Sequence, residues 1–328
     1  FGTASPGDRL RRSLSLYTPS NVSVHHFAGR LMTFGEQALP WELDPESLET
    51  LVEYKTEADL PDIMPLSAHP KIDSRGGRLC NFGAVYMGTK TRFLYQEWNQ
   101  DMKVAVSGDT GLPASHVVHD CLISQHYACF HLSPYYLDIG QFVRKDISLL
   151  GAMKWEADAP SDWLIFSRET GQPLARVPTG IPGFSLHTMN AYEENGQLVL
   201  DILEADRPFY DQYYAEPGLF ADIGPSRIRR TRLDCSDWSF TDTRILEPGL
   251  HLDFPCIDPQ RLGTRYRYAW VPGMPTDPAA SAKFYDRLLC LDWDGPTLGE
   301  VYQCPDGRFL SAEPQLIAHP DEPETGLL

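Results

Sequence analysis

Phe184-Ser185-Leu186-His187-Thr188-Met189-Asn190-Ala191-Tyr192-Glu193-Glu194-Asn195-Gly196 is the stretch on which the reading of this chain turns. It sets a histidine ahead of a short run closed by a glycine, and Gln197 to Ile202 then reads as a strand. No histidine in the chain stands at a tight zinc spacing such as H-E-x-x-H. A metal site here must draw its ligands from far apart in sequence. A propeller does this naturally, because each blade sends its inner strand to a common axis.

Outward from this stretch, short β-rich runs alternate with Gly/Pro/Asp turns. Leu31-Met32-Thr33-Phe34, Arg92-Phe93-Leu94-Tyr95 and Lys103-Val104-Ala105-Val106 read as strands. Residues 162–177 read as a hairpin turning at Arg168-Glu169-Thr170-Gly171, and 266–271, 288–293 and 299–304 as further strands. With 25 glycines and 27 prolines spread along 328 residues, short turns are favoured over long helices. The spacing predicts a sandwich, barrel or propeller. Helical patterning is weak. Residues 278–289 are the best candidate, and 142–153 read as helix or loop. No linker-like shift in composition appears, so 1–328 is expected to form one domain.

A net charge of −17 repels phosphate backbones and argues against a nucleic-acid partner. The densest basic patch, Arg227, Arg229, Arg230 and Arg232, reads as a solvated strand end. Seven cysteines, with no C-x-x-C, fit a reducing compartment and neither a zinc knuckle nor a disulfide framework. No apolar run approaches the roughly 18 residues of a membrane-spanning helix. The run 147–153 is the most apolar, and it reads as a core strand or loop. A start at Phe1 suggests a fragment, in which a leader would be invisible. A cytoplasmic location is the expectation.

Two other histidines stand in distinctive settings. His69 lies in Ala68-His69-Pro70-Lys71-Ile72-Asp73, followed by Asn81-Phe82-Gly83. His119 lies in Val118-His119-Asp120-Cys121, ahead of the aromatic run His126-Tyr127-Ala128-Cys129-Phe130. Separations of 50 and 68 residues suit ligands on successive blades, as they suit many other folds. Spacing alone favours a half-buried, hydrogen-bonded histidine at each position.

The settings, however, resemble those of the carotenoid cleavage oxygenases, a family that includes retinoid isomerases, apocarotenoid oxygenases and stilbene dioxygenases. H-P-K-x-D with N-F-G resembles the first iron-histidine region, H-D before an aromatic strand the second, and F-x-x-H-x-x-N-A-Y-E-E-x-G the third. The run Gly29 to Glu36, then Pro40-Trp41-Glu42-Leu43-Asp44-Pro45 and Leu48-Glu49-Thr50, resembles the family's opening signature. The resemblance runs in order from about Asn21 to Leu328.

It implies a seven-bladed, all-β propeller, incomplete here, with loops capping an axial iron(II). It also implies a dioxygenase that inserts O2 across a C=C bond of a carotenoid or apocarotenoid, giving two carbonyl products. The implied ligands are His69, His119 and His187, with a fourth histidine beyond Leu328. Glu36, Asp253 and Glu313 match the acids that hold such histidines. Asp253 departs from the usual glutamate and is one methylene shorter, which puts direct contact in doubt. The fragment by itself is expected to bind iron poorly and to be inactive. Its partners would be an apolar polyene and O2; some relatives touch membranes. Stilbene cleavage on the same scaffold is the rival activity. In that branch a lysine typically precedes the first acid, where this chain has Gly35. A propeller that binds ligands without catalysis is the rival from another class. No G-x-S-x-G marks a serine hydrolase.

Overall fold

Side chains alternate across a strand, so a strand with one wet face alternates and one covered on both faces is buried throughout. Both patterns occur. Val104–Leu112 alternates along most of its length, whereas Gln197–Ala205 is buried at every position after the first. The computed structural model describes residues 20–36, 38–54, 66–87, 90–144, 147–211, 219–277, 284–295, 298–311, 313–319 and 326–327. Strands dominate them. No helix among the described residues is long and apolar enough to cross a membrane.

The chain divides into two compact units. The first takes residues up to 121, then 126–156 and 163–176; the second takes 122–125, 157–162 and 177–328. Among the described residues, five sheets of four or five strands form, an all-β arrangement of propeller blades, beside two short two-stranded ones. Five blades are observed among the described residues, where the resemblance implies seven.

In the first unit, Ser23–Phe27, Arg30–Phe34, Trp41–Leu43 and Thr50–Glu53 pair in chain order. Lys71–Asp73, Arg78–Met87, Lys90–Trp98 and Val104–Leu112 do the same. Tyr127–Leu132 belongs to a third sheet. Phe27, Met32, Phe34, Leu66, Leu79, Leu94 and Trp98 make one core cluster. The rings of Phe82, Phe93, Phe130 and Phe166 meet one another at 4.8 to 6.3 Å between centroids. The turn at residues 168–171 forms as the sequence predicts. Gly171 has φ +74°, and a Cβ on Gly108 would stand 1.7 Å from the Gly171 carbonyl oxygen. Only glycines allow this approach.

In the second unit, Thr188–Glu194, Gln197–Ala205, Ser226–Asp234 and Phe240–Leu246 pair in order. Leu250–Leu252, Tyr268–Pro275, Arg287–Asp292 and Leu298–Gln303 form the next sheet. Met189, Tyr192, Val199, Ile228, Val271 and Trp293 belong to the core of this unit. Glu194 pairs with Gln197, leaving Asn195 and Gly196 as a two-residue loop with φ 53° and 76°. Two positive φ values suit the right-handed twist of the flanking strands, which explains the Asn-Gly pair.

The segment 278–289 reads as a helix or as a turn before a strand; residues 278–283 lie outside the described residues, and the strand Arg287–Asp292 occupies its end, which favours the second reading there. One expectation is corrected. The arginine patch is no solvated strand end. It lies within Ser226–Asp234, where Arg229 and Arg230 are 9% and 8% exposed. The facing strand supplies their partners: Glu204 takes Arg229 through two 2.8 Å hydrogen bonds, and Asp201 takes Arg230 at 2.8 and 2.7 Å. In the segment 142–153, a short helix Ile139–Arg144 gives way to a single turn at Leu150–Ala152.

His25 gives the first unit a pH dependence. Burial, with the Lys71 charge beside it, lowers its pKa from 6.5 to about 4. The folded state therefore holds fewer protons than the unfolded state between these values. Stability is full above pH 6.5 and is lost as pH falls toward 4. Urea unfolding at pH 7.5 and 4.5 is expected to show a loss on the order of 2 kcal/mol that His25→Leu removes. Equal losses in the two proteins would refute the assignment.

Candidate metal centre

His69 and His119 both belong to the first unit. His69 directly precedes the Pro70 that leads into the strand Lys71–Asp73. His119 lies in the segment ahead of Cys121. Their rings stand 4.4 Å apart between centroids, tilted by 58°. Glu36, just after the strand Arg30–Phe34, brings Oε2 to 3.1 Å from Nδ1 of His119. Among the described residues that oxygen accepts no hydrogen bond. The acid that sequence matching assigns to a histidine thus stands against His119.

His187, in the second unit, is 7% exposed. A β-bulge between Thr188 and Asn190 follows it directly, and such bulges re-aim neighbouring side chains. Asn190 is fully buried. Its amide donates to the carbonyls of Arg261 and Thr264 at 3.1 and 3.0 Å and accepts from the Gly263 N–H at 3.0 Å. The asparagine of the H-x-x-N pattern therefore clamps the loop before the strand Tyr268–Pro275. Glu193 accepts the Ser124 hydroxyl at 2.6 Å, and Glu194 faces Arg232 and Arg265.

Asp253 meets His187 directly: Oδ1 lies 2.7 Å from Nδ1 and also accepts the Phe254 N–H at 2.9 Å. The missing methylene does not prevent contact. Burial pushes the Asp253 carboxyl up, but the His187 and His251 rings and the Phe254 N–H outweigh it and hold the pKa below the usual carboxylate range. An imidazole whose Nδ1–H goes to a carboxylate turns its Nε2 lone pair outward. That is the arrangement of a metal-binding histidine held by an outer acid.

Glu313 is exposed, and among the described residues no hydrogen bond or ion pair ties it to a histidine. It lies near Cys256, whose thiol burial pushes up to about 11 with Asp258 and Glu313 adding. His319 is exposed.

Sequence reading missed the apolar surroundings of His187. The Phe254 ring lies 4.9 Å from the imidazole and 5.5 Å from Tyr285. Both line a cavity of about 220 Å³ with Phe209, Phe220, Phe284 and Phe309. Phe254 has φ 54°, a costly conformation for a bulky residue outside glycine. Its place immediately after Asp253 is the only signal of it in the sequence.

Imidazole donors backed by carboxylates fit a divalent first-row metal such as iron(II).

The family model for retinal pigment epithelial membrane protein (RPE65) matches residues 2–328. Apocarotenoid-15,15'-oxygenase of Synechocystis sp. is 26% identical over 83% of this chain and 56% of its own length. Lignostilbene-alpha,beta-dioxygenase isozyme III of Sphingomonas paucimobilis is 28% identical over 81% of this chain and 54% of its own. The chain thus spans about half the length of these curated relatives. Among solved structures, a Glu150Asp mutant of the Synechocystis apocarotenoid oxygenase superposes with a TM-score of 0.73, at 21% identity, over 86% of this chain and 60% of that one. An acid-backed histidine, blade-type sheets and a family match along nearly the whole chain agree: the chain belongs to the retinal pigment epithelial membrane protein family, that of the carotenoid cleavage oxygenases.

Proposed function

We propose that the whole protein is an iron(II)-dependent dioxygenase that cleaves a C=C bond of an apocarotenoid-type polyene with O2 to give two carbonyl products. His69, His119 and His187 would hold the metal. The observation that carries this reading is the acid-backed histidine, seen in His187 on Asp253 and approached in His119 beside Glu36. It is supported by the His69 and His119 rings, which the first unit brings to 4.4 Å of each other.

When bound, iron(II) would supply the redox chemistry that lets ground-state O2 attack an alkene. The residues of this chain do the rest. Asp253, accepting the His187 N–H, fixes the tautomer and the direction of Nε2. Phe254 packs against the ring at 4.9 Å, and the aromatic cavity that it lines suits an apolar chain better than a polar one. Glu313, tied to none of these three histidines, would serve a fourth ligand.

Both a polyene-cleaving and a stilbene-cleaving relative match the chain. Gly35, buried immediately before Glu36, has no side chain with which to grip a phenol oxygen, and this favours the polyene. The whole protein, loaded with iron(II), is expected to cleave an apocarotenal faster than a 4-hydroxystilbene. Product aldehydes would be quantified by mass spectrometry under labelled O2. The reverse order of rates overturns the substrate assignment, and no labelled carbonyl from either substrate overturns the activity.

A further inference from the structure

Four polar residues around the first two histidines are neither ligands nor the acids behind them. They are Ser67, which contacts both histidine backbones, Asn81, which contacts Ser67, and Lys71 and Asp120, which pair with each other beside the two histidines. The Ser67 hydroxyl donates to the His119 carbonyl at 2.6 Å and accepts the His69 N–H at 3.1 Å. One buried hydroxyl, 2% exposed as a residue, thus joins two ligand residues that are 50 positions apart. Asn81, 1% exposed, fixes Ser67 in turn: its side chain accepts the Ser67 N–H and donates to the Ser67 carbonyl, each at 3.1 Å. Lys71, two residues beyond His69, pairs with Asp120, the residue after His119, at 2.7 Å. The same Asp120 oxygen accepts the Cys121 N–H at 2.7 Å.

We propose that Ser67 and the Lys71–Asp120 ion pair are positioning residues that hold His69 and His119 at one fixed separation. The proposal rests on the reading that these two histidines bind a metal. Ligand distances must be met to within about 0.2 Å, yet the two residues come from separate stretches of chain. Two ties, one before His69 and one after it, remove the sliding that a single tie would allow. A buried ion pair is weak as a source of stability but effective at selecting one register. Lys71, with 18% of its side chain exposed, and Asp120, with 2%, meet that description.

The test uses the whole protein with cobalt(II) as probe, reading affinity by chelator competition, the visible absorption of the bound ion, and the metal-free melting temperature. Ser67→Ala, Lys71→Met and Asp120→Asn are each expected to weaken cobalt binding roughly 10- to 100-fold and to change the absorption bands, while Lys71→Arg restores most of both. A merely structural role would lower the melting temperature and leave the affinity and bands of the folded protein as in the parent. That result overturns the proposal. If Ser67→Ala does not fold, the partly exposed Lys71 variants decide alone. Failure of the underlying reading looks different: His69→Ala and His119→Ala would then bind cobalt as the parent does.

Discussion

Asp253→Ala is expected to lower the affinity for iron(II) or cobalt(II) by roughly 10- to 100-fold, the usual effect of removing an acid behind a ligand histidine. Asp253 is 2% exposed and accepts both the His187 Nδ1–H and the Phe254 N–H on one oxygen. Without it, the imidazole can rotate or carry its proton on the other nitrogen. Asp253→Asn keeps one acceptor oxygen, so its loss should be smaller than that of alanine. Asp253→Glu restores the family's usual residue but adds a methylene where contact is already made at 2.7 Å. Overpacking a buried site costs typically 1–3 kcal/mol, so glutamate should destabilise this chain rather than improve it. Chelator competition and melting curves on the three variants give the ranking. Parental affinity in Asp253→Ala would remove Asp253 from the centre altogether.

The Asp253 contact shows what a sequence can and cannot convey. The order Glu36, Asp253, Glu313 is readable because each acid sits in a recognisable local setting. Whether an aspartate reaches its histidine depends on strand placement, and here the strand Leu250–Leu252 delivers it directly. The Asn195-Gly196 turn is legible for a local reason, since two positive φ values demand such residues. The arginines of Ser226–Asp234 mislead because their exposure is set by the neighbouring strand. Register places Asp201 opposite Arg230, and no local pattern reveals that 29-residue pairing. Arg168 is hidden in the same way. It reads as the first residue of a hairpin turn, and its partners Asp73 and Glu97 lie 95 and 71 positions away.

Arg168→Met is expected to cost about 3–5 kcal/mol of unfolding free energy, the range for breaking a buried ion pair from one side. Arg168 is 5% exposed and Glu97 fully buried. The guanidinium donates through Nε to Glu97 at 2.7 Å and through a terminal nitrogen to Asp73 at 2.9 Å. Arg78 reaches Glu97 at 3.1 Å, and the Tyr95 hydroxyl donates to it as well. Burial pushes the pKa of Glu97 and Asp73 up, but their hydrogen bonds and the Arg168 charge outweigh it, and both lie below their ordinary values. Without Arg168, two carboxylates remain in the interior with one arginine for Glu97 and none in the fork that held Asp73.

Methionine fills the volume of the stem but supplies no donor. Lysine keeps the charge but not the two-pronged geometry, so Arg168→Lys should recover only part of the loss. The sign with pH follows from the depressed carboxylates. In the parent, their contribution is present at neutral pH and is lost as pH falls through their folded values. In Arg168→Met, protonation relieves the stranded charges, so the gap between the proteins should narrow between pH 7 and pH 4. Adding Glu97→Gln to Arg168→Met should narrow it at pH 7 as well. Asp73 ends the strand that begins two residues after His69, so the same variant should also loosen that histidine. Urea titrations at the two pH values decide the matter. A cost under about 1 kcal/mol at pH 7 would mean that water reaches the cluster and that the ion pairs contribute little to holding the first unit together.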